Sequence, residues 1–374
     1  MNKDRLTEQF LEIVQIDSES GAERQVADYL KNILTELELS GFEDDTREQT
    51  GYGAGNLIYT LKGEENIPAV AFMVHMDTVT PGVGVKPHIE DGYVYSDGTT
   101  ILGSDDKAGV SAVIEAVKVL KEENIPHGDV EVIITVGEET GLVGAKALDI
   151  KNIKSKFGYA VDGTGQVGTI VNRAPSQTKI KAQIYGKKAH AGIEPEKGIS
   201  AINLAAKAIS KMELGRIDEE TTANIGTIKG GQATNIVADH AEILAEVRSL
   251  SDEKLQAESE KIKTAFEETA KALGGSADVQ VDLMYPSLHA KEDEAVITTA
   301  AEAVKNIGRQ ADIISLGGGS DGNIFHGQGV PTAILGVGYE YIHTTSERMP
   351  LEELYKMTDL IVEIVKVHYA NEKK

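Results

Sequence analysis

Apolar residues recur at helical spacing through Leu6, Phe10, Leu11 and Val14, and again through Val26, Leu30, Ile33, Leu34 and Leu37, which predicts two amphipathic helices. The pattern then changes to short, nearly continuous apolar runs at 56–61, 69–75 and 129–136, the length and character of buried strands. Between the last two, Val110, Val113, Ile114, Val117 and Leu120 mark a further helix, and another buried run follows at 157–161. Strands alternating with helices predict an α/β fold with a mostly parallel sheet and helices on both faces. Ligand sites in such sheets gather at the carboxyl ends of the strands.

The middle of the chain reads differently. Strand patterns at 177–185, 222–228, 240–248 and 277–284 interleave with helical ones at 200–212 and 251–273, the second opened by Ser251-Asp252-Glu253 as a cap. That order is β-α-β-β-α-β, the ferredoxin-like split motif, and predicts a small domain over 175–290 inserted into a larger one formed by 1–174 and 291–374. After the insertion come a helix at 293–307, strands at 312–315 and 332–336, and a closing helix at 351–369.

Composition narrows the chemistry. The 374 residues include 60 acidic and 37 basic side chains, a formal charge of −23. This disfavours nucleic acid and anionic membrane as partners. With no cysteine, thiol catalysis, disulfides and cysteine-ligated metals are excluded, so any metal must be held by His, Asp and Glu. No apolar run resembles a signal peptide or reaches the 18 residues of a membrane span, and a cytoplasmic location is expected.

Five polar features stand out, four of them after strand runs. His75-Met76-Asp77 ends the 69–75 run. Residues two apart in an extended chain point the same way, so both side chains can face one site, with Asp77 behind the imidazole. Alone, this reads first as an ordinary polar strand end. Gly103-Ser104-Asp105-Asp106-Lys107-Ala108-Gly109 precedes a helix, where the acids can simply cap it. Gly137-Glu138-Glu139-Thr140-Gly141 follows the third run, and reads either as a solvated turn or as a carboxylate pair at a site. Val161-Asp162-Gly163 and His343 complete the set. Together they offer two imidazoles and several carboxylates, a donor set suited to Zn2+, Mn2+ or Co2+. Two cations sharing one carboxylate would each need one His and one further carboxylate, which leaves Glu138 over as a general base.

These motifs, with the inserted domain, resemble the family of dinuclear zinc aminopeptidases, carboxypeptidases and deacylases that includes peptidase T and its relatives. The resemblance covers essentially the whole chain, and Asp105-Asp106-Lys107 with Glu138-Glu139 is its most specific part. It implies a zinc-peptidase catalytic domain and an inserted lid, with Asp105 bridging two divalent ions, most readily Zn2+. His75 and Asp162 would complete one ion, and Glu139 and His343 the other. Asp77 would orient His75, and Glu138 would take the proton of the attacking water. Lys188-Ala189-His190-Ala191-Gly192 matches the lid histidine that stabilises the oxyanion. In some relatives that residue acts across a dimer, so a homodimer through the lid domain stays open. Asn235 and Arg248 resemble lid residues that bind substrate, and Gly317-Gly318-Gly319-Ser320-Asp321-Gly322 resembles a substrate loop. The glycine run also reads as a plain turn, and Arg248 as a surface residue.

The stretch from His75 to Asp105 is shorter than in the tripeptidase itself. The expected function is therefore hydrolysis of short peptides, a tripeptide aminopeptidase in first place. A dipeptidase, carboxypeptidase or N-acyl amino acid deacylase would keep the same ligands. A non-catalytic metal- or peptide-binding module is the competing class, and would lack a ligand or the base. A two-metal phosphatase or nuclease fits poorly with the net charge.

Overall fold

A computed structural model describes residues 1–374. The chain forms two compact units, one of Met1–Arg173, Leu288–Leu316 and Ser320–Lys374, the other of Ala174–Ser287 and Gly317–Gly319.

The first unit is built on a nine-stranded sheet. Its strands are β1 (Ser40–Glu43), β2 (Leu57–Leu61), β3 (Val70–His75), β4 (Val130–Thr135), β5 (Phe157–Gly163), β6 (Thr169–Ala174), β7 (Leu288–His289), β8 (Asp312–Ser315) and β9 (Thr332–Gly336). The order across the sheet is β1-β2-β4-β3-β5-β9-β6-β7, with β8 also paired to β6. β3 runs parallel to β4 and β5, β5 to β9, and β8 to β6. The β1–β2, β2–β4 and β9–β6 pairs are antiparallel. The sheet is thus mixed, parallel at its centre and reversed towards both sides; hydrophobic runs specify burial but not strand direction, so the sequence pattern does not show these reversals. β3 and β4 are buried at every position, which explains their largely apolar sequences, broken within β4 only by the buried Glu131.

The helix Ser104–Glu122 is buried along almost its whole length and packs on β3, β5 and the closing helix Leu351–Glu372. Gly109 makes that approach possible, since a Cβ there would stand 2.5 Å from the Val161 carbonyl oxygen. Phe10, Phe72, Val113, Tyr159 and Leu360 belong to the common core. A separate three-stranded sheet joins Arg348–Pro350, Tyr93–Tyr95 and His88–Glu90.

β3, β4, β5 and β9 are neighbours running in one direction, so their carboxyl ends share one edge of the sheet. His75, the Gly137–Glu139 turn, Asp162 and the segment leading to His343 all leave the sheet at that edge.

The second unit holds an antiparallel sheet in the order Gly215–Arg216, Thr221–Gly230, His240–Ser249, Ser176–Tyr185, Ser276–Tyr285. Helices Ala201–Ile209 and Asp252–Ala272 pack on it, capped by the side chains of Ser200 and Ser251. Ile180, Ala182, Ile184, Val247 and Phe266 form its core. Apart from the two-residue strand, the element order is β-α-β-β-α-β. No helix of the chain is long and apolar enough to cross a membrane.

Candidate metal centre

His75, the last residue of β3, is buried, and its two ring nitrogens face different partners. Nε2 lies 3.2 Å from Asp105 Oδ1 and 3.6 Å from Asp162 Oδ1. Nδ1 lies 3.0 Å from the Asp77 carbonyl oxygen and 3.4 Å from Asp77 Oδ1. A proton on Nδ1 therefore satisfies Asp77 and leaves the Nε2 lone pair directed at the two carboxylates. The Asp77 carboxylate does more than stand behind the imidazole. It accepts from the Ser20 hydroxyl at 2.6 Å and from the Glu138 and Glu139 N–H groups at 2.9 and 3.3 Å. One buried acid thus joins the end of β3 to the turn after β4.

That turn is tight. Gly137 has φ 60°, and a Cβ there would fall 2.4 Å from the Tyr52 ring, whose hydroxyl pairs with Thr140 Oγ1 at 2.7 Å. His343, half-exposed and with φ 62°, places Nε2 2.9 Å from Glu139 Oε1 and 3.2 Å from Asp105 Oδ2. The two oxygens of Asp105 therefore face two different imidazoles. The Asp105–Asp106 peptide bond is cis.

Ligand atoms of His75, Asp105 and Asp162 lie within 4.8 Å of one another, as do those of Asp105, Glu139 and His343, and those of His75, Glu138 and Glu139. The structure thus brings together all five expected ligands, with Glu138 and Asp77 beside them. His190, Asn235 and Arg248 belong to the second unit. There His190 forms a β-bridge with Ile236 and is exposed, Asn235 accepts through its carbonyl from the Ala191 N–H, and Arg248 donates to Glu246 at 2.9 Å.

The protonation pattern follows from burial among like charges. Burial lowers the His75 imidazole, but Asp105, Asp162 and Asp77 reverse this and hold it well above the histidine range. Asp105 and Glu139 raise His343 to about 10. Burial opposes ionisation of Asp105, yet His343 and His75 keep it below the usual carboxylate range. Burial lifts Asp162 to about 6 and Glu139 to about 7. Glu138 is driven well above its usual range by burial and then by Asp162.

This donor set fits divalent cations. Asp77, Asp105, Asp106, Asp162, Glu138, Glu139 and Asp321 crowd around two imidazoles, and the buried oxygens Asp106 Oδ1 and Asp321 Oδ1 have no hydrogen-bond partner. Lys107, buried in the same turn as Asp105 and Asp106, is directed to the Ile16 carbonyl oxygen at 2.7 Å. Nitrogen and oxygen donors without thiols match Zn2+, Mn2+ or Co2+.

Some members of the centre escape sequence reasoning. The Tyr339 hydroxyl donates to Asp162 Oδ1 at 3.2 Å, Asp321 accepts from the Thr135 hydroxyl, and Ser20 supports Asp77. The sequence marks Asp321 only as part of the glycine-rich run, read as a substrate loop or a plain turn, and nothing local marks Ser20 or Tyr339. In the glycine run, Ser320 forms a capping box with Asn323 at the start of the helix Asp321–Gly327.

Against this geometry, the profile described as peptidase family M20/M25/M40 matches residues 71–367. The chain belongs to that family. A relative in Bacillus subtilis (strain 168), the uncharacterized protein YqjE, is 56% identical over 365 residues, covering 98% of each chain. The crystal structure of the aminopeptidase PepT from Bacillus cereus ATCC 10987 is 55% identical and superposes with a TM-score of 0.94, covering 98% of this chain and 99% of that one. A tripeptidase from Staphylococcus aureus subsp. aureus mu50 is 48% identical, with a TM-score of 0.96 and 99% coverage of both. Peptidase T of Geobacillus thermodenitrificans (strain NG80-2) is 25% identical over 414 aligned positions, covering 98% of each chain. That alignment is longer than the 374 residues here, so this M20-family chain lacks segments that the relative carries.

Proposed function

We propose that the protein is a two-metal exopeptidase of short peptides, acting as a tripeptide aminopeptidase in the cytoplasm. One observation carries the reading: the oxygens of Asp105 address separate imidazoles, each backed by its own further carboxylate, Asp162 for His75 and Glu139 for His343. His75, Asp105 and Asp162 would hold one cation, and Asp105, Glu139 and His343 the other, with Zn2+ proposed and Mn2+ or Co2+ suited to the same donors. Bound there, a cation pair supplies Lewis-acid polarisation of the scissile carbonyl and acidifies the attacking water.

The chain's own part is proton management and orientation. Glu138 accepts the proton of the attacking water and returns it to the leaving amine. Its raised proton affinity suits a base that works nearer neutral pH than an ordinary carboxylate. Asp77 fixes the His75 ring and, through the Glu138 and Glu139 amides, the turn that carries the base. Assignment of His190 as an oxyanion donor, of Asn235 and Arg248 as substrate-binding residues, and of the second unit as a lid and dimer surface rests on the family pattern. The aminopeptidase and tripeptidase names of two highly similar structures support the choice of substrate.

The test is a panel of alanine and glycine di- and tripeptides, acetyl-amino acids and a chromogenic phosphate ester, each with and without chelator. Release of the N-terminal residue from tripeptides, lost with chelator and restored by Zn2+, Mn2+ or Co2+, is the expected result. Cleavage confined to dipeptides or acetyl-amino acids would replace the substrate assignment. No turnover of any compound with both cations bound would favour a binding module.

A further inference from the structure

Glu347 is a buried carboxylate, 1% exposed, that the chemistry above does not use. Its Oε2 accepts from the Leu102 N–H at 2.9 Å and the Gly103 N–H at 2.8 Å. Its Oε1 accepts from the Ser104 hydroxyl at 2.6 Å and the Asp105 N–H at 3.1 Å. Four donors from four consecutive residues thus converge on one side chain from the far end of the sequence. They belong to the turn that enters the helix Ser104–Glu122, where Asp105 and Asp106 have non-helical backbone angles and no helical ladder serves them. Gly103 opens this turn with φ 75°. Without Glu347, these buried donors would be left unpaired unless the turn shifted.

Glu347 is also tied to the other ligand loop. It follows His343 by four residues, and its N–H donates to the Thr344 carbonyl oxygen at 3.1 Å. The same residue therefore anchors the turn carrying Asp105 and the segment carrying His343, the two residues whose side chains meet at 3.2 Å.

We propose that Glu347 is a positioning residue of the cation pair, holding Asp105 so that each carboxylate oxygen faces its own imidazole. It is absent from every group of converging ligand atoms, so it acts through Asp105 rather than on a cation or substrate. This inference rests on the two-cation reading of the site. Partners that orient metal ligands are typically worth 10–100-fold in metal affinity. Glu347→Gln keeps the volume but turns an amide NH2 towards donors that need an acceptor. Ser104→Ala removes one donor and leaves the backbone bonds in place.

The experiment titrates the metal-free full chain and both variants with Co2+, following visible absorption for ligand geometry and far-UV circular dichroism for the fold. The wild-type chain should take up two Co2+. Glu347→Gln should bind the pair about 10–100-fold more weakly with an altered Co2+ spectrum, and Ser104→Ala should show a smaller loss in the same direction. A folded Glu347→Gln chain with wild-type affinities and spectrum would overturn the proposal. Should that variant not fold, Ser104→Ala decides, and unchanged affinity and spectrum there overturn it. A wild-type chain that takes up no Co2+ would instead bring down the two-cation reading itself, a result separable from the others.

Discussion

Cation uptake at this centre should expel protons, and the number can be worked from the site. In the metal-free protein near pH 6, His343 (about 10) and His75 (held well above the histidine range) each carry an extra proton. Glu139 (about 7) is then about nine-tenths protonated and Asp162 (about 6) about half, while Asp105 is ionised. All five must be deprotonated to act as ligands. Loading both cations should therefore release at least about three protons at pH 6, and fewer towards pH 8 as Glu139 and Asp162 ionise on their own. The sign follows directly: the metal-free form binds more protons, so affinity rises with pH. The combined affinity for the pair should climb by roughly three decades per pH unit near pH 6 and less steeply near pH 8. Isothermal titration calorimetry in buffers of different ionisation enthalpy reads the proton count at each pH. Release of less than one proton at pH 6, or an affinity flat between pH 6 and 8, would refute this account of the centre.

Three substitutions extend the test. Glu138→Gln should lower kcat by about 10²–10⁴-fold, the range of a general base, while leaving the number of bound cations unchanged by elemental analysis. Asp77→Asn should reduce both kcat and cation affinity, the latter about 10–100-fold, because it removes the carboxylate charge 3.4 Å from the His75 ring and weakens acceptance from the Glu138 and Glu139 amides together, although the bond of the ring to the Asp77 backbone carbonyl remains; affinity by equilibrium dialysis checks it. Phe72→Ala, in the core where Phe72 stacks on Tyr159 at 5.8 Å, should cost about 3–5 kcal/mol in denaturant unfolding. The surviving folded protein should keep its cation stoichiometry.

Much of the fold was legible because the central strands are buried at nearly every position and so write themselves as nearly continuous apolar runs. β3 (Val-Ala-Phe-Met-Val-His) and β4 (Val-Glu-Val-Ile-Ile-Thr) are the clearest cases. β1 is not legible: Ser-Gly-Phe-Glu is mostly exposed and carries neither alternation nor an apolar run. β6 also goes unpredicted, although it is mostly buried. The antiparallel pairs on either side of the parallel centre depend on partner choice, which no local pattern encodes. The candidate ligand residues were readable for a related reason. At the end of a buried strand the sequence changes abruptly from apolar to His, Asp or Glu, and the parallel centre brings those changes to one edge. Ser20, Tyr339 and Glu347 carry no such mark. They act through single hydrogen bonds or clusters of them to residues far away in sequence, and each sits in a loop where a polar residue is ordinary.

In the proposed centre, five side chains from separate strand ends and loops hold two cations through a shared Asp105. A crystal of the full chain grown with Zn2+, with anomalous scattering measured on either side of the zinc edge, tests it directly. Two peaks are expected, one among His75, Asp105 and Asp162 and the other among Asp105, Glu139 and His343. Zinc bound only elsewhere, or a single ion that leaves Asp105 on one side uncoordinated at saturating metal, would contradict it.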